Sequence, residues 1–181
     1  MKKTLAIVVM ALCACPVWAN GLTPWKFGMS REQVSAFSAQ GPYTSFKNGD
    51  LETYAGQFNG VDRNVQFYFN QTGLWRISVQ FYEGTDAAAA RAGWRDAYAT
   101  LAALYGPVET ALSGNGEELA NRTAEAVEAG IKLQMAPVRQ PLEEYVFSSY
   151  QRYVANGKAL YRVVVYLDPA HPKPGRVAQL R

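Results

Sequence analysis

Five segments of the chain are predicted to be β-strands, and two of them, Asn64–Asn70 and Leu74–Tyr82, alternate between apolar and polar residues as strands with one face against a core do. The five segments are Leu51–Phe58, Asn64–Asn70, Leu74–Tyr82, Glu144–Val154 and Ala159–Leu167. In the third segment, the residues expected to face the core are Trp75, Ile77, Val79 and Phe81. The turn sequences Asn59-Gly60 and Asn156-Gly157 indicate hairpins. The strands are therefore expected to pair antiparallel.

Two segments carry the start and stop signals of helices. Ser30 and Gln33 form a capping box, and Gly41-Pro42 ends the first helix. Asp86 can cap a second helix that runs to Tyr105 and stops at Gly106-Pro107. On this second helix, Trp94 and Tyr98 are expected to face the sheet, as parts of the core.

The segment from Val108 to Pro141 shows no single pattern. Glu117–Ala129 is either an acidic helix, or its later half continues as a strand into Ile131–Met135. Residues 169–181 contain three prolines and are predicted to be an irregular tail. Together the elements predict an α+β fold, in which an antiparallel sheet carries helices on one face.

The two halves of the chain resemble each other. Leu74–Val79 matches Leu160–Val165 in residue type, and a Gly-Pro pair ends each predicted helix. We expect two helix-plus-β-meander repeats, 20–84 and 85–168, with an insertion near 117–143, forming one compact domain over 20–168. The alternative is chance, because any two half-buried strands alternate in this way.

A helix and a β-meander, given twice, resemble the β-lactamase-inhibitor-protein-like superfold. That resemblance implies helices packed on one face of an antiparallel sheet. The start Phe27–Val34, with Gly41-Pro42 closing the helix, is also similar to that of the small outer-membrane lipoproteins of the β-barrel assembly machinery. The structural disulfide that is usual in those lipoproteins has no counterpart in this sequence. A shared fold does not by itself transfer an activity.

The first nineteen residues have the three zones of an export signal. Lys2 and Lys3 precede the apolar run Leu5–Leu12, and Ala19 offers a cleavage point. We expect cleavage after Ala19 and a periplasmic protein. The alternative is lipidation at Cys15, because Leu12 to Cys15 resembles a lipobox, and this would tether the protein to a membrane.

Charge and cysteine content limit the kinds of partner. Both cysteines, Cys13 and Cys15, lie in the predicted signal, so the mature chain is expected to lack disulfides and thiolate metal sites. Loss of Lys2 and Lys3 leaves 16 basic and 15 acidic residues, a net charge near +1. Such a balance does not favour nucleic acid as a partner.

No catalytic motif is present in the sequence. The single histidine, His171, lies in the proline-rich tail, where it is poorly placed as a general base. The nearest carboxylate pairs are Asp50 with Glu52 and Glu143 with Glu144, which we expect to be exposed acids of turns and strand ends. We therefore predict no catalytic residues, no metal site and no cofactor.

The side of the sheet away from the helices has the composition of a binding surface. Tyrosine, arginine and glutamine give large contact area and forked donors, as in protein-binding hot spots. The predicted surface consists of Tyr68, Arg76, Gln80, Tyr82, Tyr150, Arg152, Arg162 and Tyr166. The alternative is a merely solvated face, since aromatics also suit pleated pairing.

These observations favour a non-enzymatic module that binds another envelope protein, as an inhibitor or as an assembly accessory. Two other functions stay open at this point. One is an enzyme whose site is assembled from scattered residues, and the other is a carrier of an apolar ligand.

Overall fold

The computed structural model describes residues 24–112, 114 and 116–170. Within them the chain forms an α+β fold with three α-helices and eight strands. The helices are α1 (Arg31–Ser35), α2 (Ala87–Tyr105) and α3 (Gly116–Glu128), with a short 3-10 helix at Ser38–Gln40. The strands are β1 (Tyr43–Ser45), β2 (Leu51–Phe58), β3 (Val61–Asn70), β4 (Gly73–Gly84), β5 (Val108–Thr110), β6 (Leu133–Pro137), β7 (Glu144–Ala155) and β8 (Lys158–Pro169).

All eight strands belong to one antiparallel sheet, in the order β1-β2-β3-β4-β8-β7-β6-β5. The two predicted hairpins are confirmed. Asn59 and Gly60 join β2 to β3, and Asn156 and Gly157 join β7 to β8, all four with positive φ. Positive φ at both central residues gives the turn the twist that paired strands need.

Both predicted helix starts are confirmed. Ser30 accepts a hydrogen bond from the Gln33 amide at 3.3 Å, and the Gln33 side chain accepts from the Ser30 amide at 2.8 Å. Asp86 accepts from the amides of Ala88 and Ala89 and so caps α2. The first helix is shorter than predicted, because α1 ends at Ser35 and a 3-10 turn continues to Gln40.

The core lies between the sheet and the helices α2 and α3. Trp94 of α2 is buried against Tyr150 of β7, with ring centroids 5.7 Å apart. From α3, Glu128 contacts Arg152 and Tyr161, which lie on the same side of β7 and β8 as Tyr150. Trp94 is therefore a core residue as predicted, whereas the prediction that Tyr98 belongs to the core is wrong, because Tyr98 is 42% exposed.

The uncertain middle segment contains a helix followed by a strand. The helical interpretation of residues 117–129 is correct, and the next strand, β6, begins at Leu133. Two strands escaped prediction, β1 and β5, which form the two edges of the sheet. Each has three residues, too few for an alternating pattern to be recognised.

Within the described part of the chain, no helix combines the length and the apolar character needed to cross a membrane.

The predicted export signal, including the cleavage point at Ala19 and the alternative lipidation site Cys15, lies outside the described residues. So do His171 and the tail beyond Ala170.

Candidate binding face

The strand β8 defines the two sides of the sheet. Its residues Tyr161, Val163, Val165 and Leu167 are buried in the core on the helix side. The alternate residues point to the other side, which we call the outer face; on β8 these are Arg162, Val164, Tyr166 and Asp168. The register extends this face to the neighbouring strands, because Tyr166 lies opposite both Ser78 of β4 and Phe147 of β7.

Five of the eight predicted surface residues lie on the outer face. They come from three adjacent strands and are all half-buried. They are Tyr68 of β3, Arg76 and Gln80 of β4, and Arg162 and Tyr166 of β8.

The expectation that Tyr82 faces outward is wrong, because a β-bulge interrupts β4. The register shifts between Gln80 and Tyr82, so that Tyr82 lies opposite the buried Val163. Its hydroxyl accepts a hydrogen bond from the Asp86 amide at 2.8 Å, at the start of α2. An extra residue in a strand turns the following side chain to the other side.

Tyr150 and Arg152 also lie on the helix side, so their inclusion in the outer face is wrong. Tyr150 is 1% exposed and packs on Trp94. Arg152 points towards α3, where its Nε lies 3.6 Å from Glu128. The pairing of Tyr150 with the buried Val163 fixes the phase of β7 and sends the residues at even positions inward.

A second bulge in β4 corrects the prediction for Trp75, which was expected to face the helices. The register shifts between Tyr68 and Phe69 of β3, and Leu74 takes the core position instead. The Trp75 ring lies beside Arg76, whose guanidinium carbon is 4.7 Å from the ring centroid. The alternating pattern of the sequence does not show that Leu74, and not Trp75, is the core residue.

A continuous stack of side chains crosses the outer face from β7 to β4. Phe147 stacks on Tyr166, with ring centroids 5.0 Å apart and ring planes inclined by 23°. The ring centroids of Tyr145 and Phe147 are 5.5 Å apart. At the other end, the Arg76 guanidinium lies 5.3 Å from the Tyr166 centroid. We call this stack the aromatic ladder; it consists of Tyr145, Phe147, Tyr166, Arg76 and Trp75.

Asp168 holds the cation of the ladder in place. The Nε and Nη2 atoms of Arg76 each donate to one Asp168 oxygen at 2.6 Å, a bidentate pair. The Asp168 side chain is 9% exposed, and that of Arg76 is 29% exposed. The hydrogen bonds to Asp168 raise the pKa of Arg76 further, so the ladder keeps its positive charge. Bidentate pairs fix orientation as well as charge.

A polar group occupies the outer face next to the ladder. Arg162 lies 3.8 Å from Glu83, which also accepts a 2.7 Å hydrogen bond from the Tyr153 hydroxyl. Arg162 donates to Gln66 at 3.4 Å, and Tyr68 donates to the same Gln66 oxygen at 2.8 Å. The outer face therefore has an aromatic part and a polar part side by side.

Sequence reasoning did not select Tyr145, Phe147 or Tyr153. All three are at odd positions of β7, and each belongs to the ladder or to the polar group. The pairing of β7 with β8 places them on the outer face. Without that register the sequence cannot say which alternate set of β7 faces outward.

Three carboxylates of the candidate pairs accept hydrogen bonds from other residues of the fold. The expectation that Glu144 is exposed is wrong, since it is 7% exposed and accepts from the Tyr105 hydroxyl at 3.4 Å. Asp50 accepts from the Phe69 amide at 3.0 Å, and Glu52 accepts from Asn64 at 2.7 Å. Among the described residues, no three His, Cys, Asp or Glu side chains are grouped as metal ligands.

Comparison of the chain with protein-family models, with curated proteins and with solved structures found no significant match.

Proposed function

We propose that this protein is an exported, non-enzymatic module that binds another protein of the cell envelope through the outer face. The aromatic ladder is the observation that carries the proposal. It places four aromatic rings and one arginine side by side on a sheet surface. Aromatic residues and arginine dominate the binding energy of protein–protein interfaces.

The ladder side chains are ordered before any partner arrives. Ring stacking holds Phe147 on Tyr166, and the bidentate pair with Asp168 holds Arg76. Binding to a flexible surface costs about 0.5–1.5 kcal/mol for each side chain that becomes immobilised. A preordered ladder avoids much of that cost.

The flanking polar group supports the same proposal. Interfaces combine an apolar centre with a polar rim that forms hydrogen bonds. Here Arg162, Gln66 and Glu83 lie next to the ladder with hydrogen-bonding atoms at the surface. A partner would cover the ladder and exchange hydrogen bonds with this rim.

The proposed location follows from residues 1–19, which have the pattern of an export signal. Cleavage after Ala19 releases the chain into the periplasm, and cleavage before Cys15 attaches it to a membrane. The mass of the mature N-terminus distinguishes these two outcomes.

We also propose that the domain arose from two helix-plus-β-meander repeats. The strand order supports this, because β1-β2-β3-β4 in one half is mirrored by β8-β7-β6-β5 in the other. A helix precedes each set of four strands, and α3 is then the insertion between β5 and β6. The resemblance to the β-lactamase-inhibitor-protein-like superfold remains part of this proposal.

The test compares partner capture by three forms of the protein. One is wild type, one carries Phe147→Ala and Tyr166→Ala, and the control carries Tyr98→Ala on the helix side. A partner isolated from envelope extract with wild type is purified, and its affinity for each form is measured. We expect the double variant to bind at least about tenfold more weakly, the loss of one hot spot of about 1.4 kcal/mol.

Circular dichroism and thermal unfolding confirm that each form is folded before binding is compared. The Tyr98→Ala control should bind like wild type. Equal affinity of the partner for all three forms would overturn the assignment of the outer face.

A further inference from the structure

A pocket of about 680 Å³ lies in the helix layer, between α2, β5 and α3. One side of α2 supplies four of its lining residues, Arg91, Trp94, Arg95 and Tyr98. Asn121 of α3 adds an amide to the wall. The volume falls within the range of about 300–1,000 Å³ that is usual for sites of small organic ligands.

The pocket contains positive charge, and its described lining residues include no carboxylate. Arg91 and Arg95 line the pocket. Asp96, the neighbour of Arg95, is paired with Arg63 at 2.7 Å instead. On α3, Glu128 is engaged by Tyr161 and Arg152.

The two arginines have no carboxylate partner among the described residues, unlike four other described arginines. Arg63, Arg76, Arg152 and Arg162 each form an ion pair, whereas no described carboxylate lies within 4 Å of Arg91 or Arg95. They also stand four residues apart on one helix, where like charges repel. An anion bound between them would remove that repulsion.

Two aromatic rings form another part of the pocket wall. Trp94 is 8% exposed and is fixed by its contact with Tyr150, so it presents a rigid wall. Tyr98 is one turn further along α2 and is 42% exposed. Flat apolar groups pack favourably against such rings.

We propose that this pocket binds a small organic anion. Its carboxylate, phosphate or sulfonate group pairs with Arg91 and Arg95, and its aromatic or flat apolar body packs on Trp94 and Tyr98. Guanidinium groups match such anions with two parallel hydrogen bonds. The site lies on the opposite side of the sheet from the outer face and is independent of partner binding there.

The test uses two fluorescent probes that differ by one charged group. Anilinonaphthalene sulfonate has an aromatic body and an anionic group, and N-phenylnaphthylamine has a similar body without the charge. Titration of the folded wild-type protein should show one saturable site for the sulfonate. The neutral probe should bind at least about tenfold more weakly, the effect of one charge-assisted contact of about 1.4 kcal/mol.

The variants separate this pocket from other probe sites. Arg91→Gln with Arg95→Gln should weaken sulfonate binding by about tenfold or more, and leave the neutral probe within about twofold. Tyr98→Ala should weaken both probes, because it removes part of the apolar wall. Arg139→Gln, an exposed arginine in the β6–β7 loop, is the matched control and should bind like wild type.

Thermal unfolding verifies that each variant is folded, and Arg91→Lys with Arg95→Lys keeps the charge if the glutamine variant is unstable. The lysine variant should bind the sulfonate more tightly than the neutral probe. The proposal is overturned by the absence of a saturable site, by equal affinity for the two probes, or by full sulfonate binding in the glutamine variant.

Discussion

Arg76 is the residue on which the outer face depends most. Its guanidinium contacts the rings of Trp75 and Tyr166 and donates two hydrogen bonds to Asp168. Since Asp168 comes from β8 and Arg76 from β4, the pair joins the two strands at which the halves of the sheet meet. One ion pair therefore orders the ladder and links the halves.

We predict that Asp168→Asn lowers the free energy of unfolding by about 2 kcal/mol, because it removes hydrogen bonds to a charged group and leaves Arg76 without its anion. Urea unfolding measures this change. Glu83→Gln is the matched control, since its pair with Arg162 is longer, at 3.8 Å, and more exposed. That variant should lose less than about 0.5 kcal/mol. Equal losses in both variants would contradict the special role of Asp168.

Glu144 is the second residue with a testable consequence. Burial raises the pKa of its carboxyl from 4.5 to about 7, the hydrogen bond from Tyr105 opposes the rise, and the charge of Glu143 adds to it. A carboxyl whose pKa is higher in the folded than in the unfolded state contributes to stability at pH values where it is protonated in both of these states. That contribution is lost as the pH rises from about 4.5 to about 7.

We predict that the difference in free energy of unfolding between Glu144→Gln and wild type shifts in favour of the variant by about 2 kcal/mol between pH 4 and pH 8. The reason is that glutamine never has to carry a buried charge. Chemical unfolding across this pH range gives the difference. Glu118→Gln, an exposed acid of α3, should follow the wild-type profile. Parallel profiles for wild type and Glu144→Gln would show that the buried carboxyl is not responsible.

The bulge at the end of β4 is the element that most affects which residues face outward. It places Phe81 and Tyr82 together under α2, which approaches the strand closely at Gly93. A methyl group at position 93 would lie 2.9 Å from the Tyr82 Cβ and 3.1 Å from the Phe81 carbonyl oxygen. The close approach explains why a glycine interrupts the alanine-rich helix.

Gly93→Ala should destabilise the protein by about 1 kcal/mol or more. The overpacking cost of about 1–3 kcal/mol exceeds the gain in helix propensity, which is at most about 1 kcal/mol. Ala103→Gly, at an exposed position of the same helix, should also destabilise, by about 1 kcal/mol. Thermal or urea unfolding measures both. A stabilised Gly93→Ala variant would refute the close approach of α2 to the bulge.

Most elements were predictable because their signals are local. Asp86, the alanine run and Gly106-Pro107 define α2 within a residue at each end. The outer face was only partly predictable, because alternation is broken where an extra residue enters a strand. The register shifts in β4 moved Trp75 away from the core and Tyr82 towards it, and the phase of β7 depends on its partner strand.

At the scale of the whole molecule, the two sides of the sheet have different roles in our account. The helix side contains the core and the arginine-lined pocket between α2 and α3. The outer face presents the aromatic ladder and the polar group beside it. Partner binding at the outer face is the central claim, because it follows from the largest ordered group of aromatic side chains on that surface.

The most direct measurement is site-specific photo-crosslinking in the cells that make the protein. Benzoylphenylalanine replaces Trp75 at one end of the ladder, or Tyr98 on the helix side as the matched control. We predict that the probe at position 75 gives one discrete adduct with another envelope protein, and that Phe147→Ala with Tyr166→Ala abolishes it. No adduct from position 75, or the same adduct from position 98, would contradict the account.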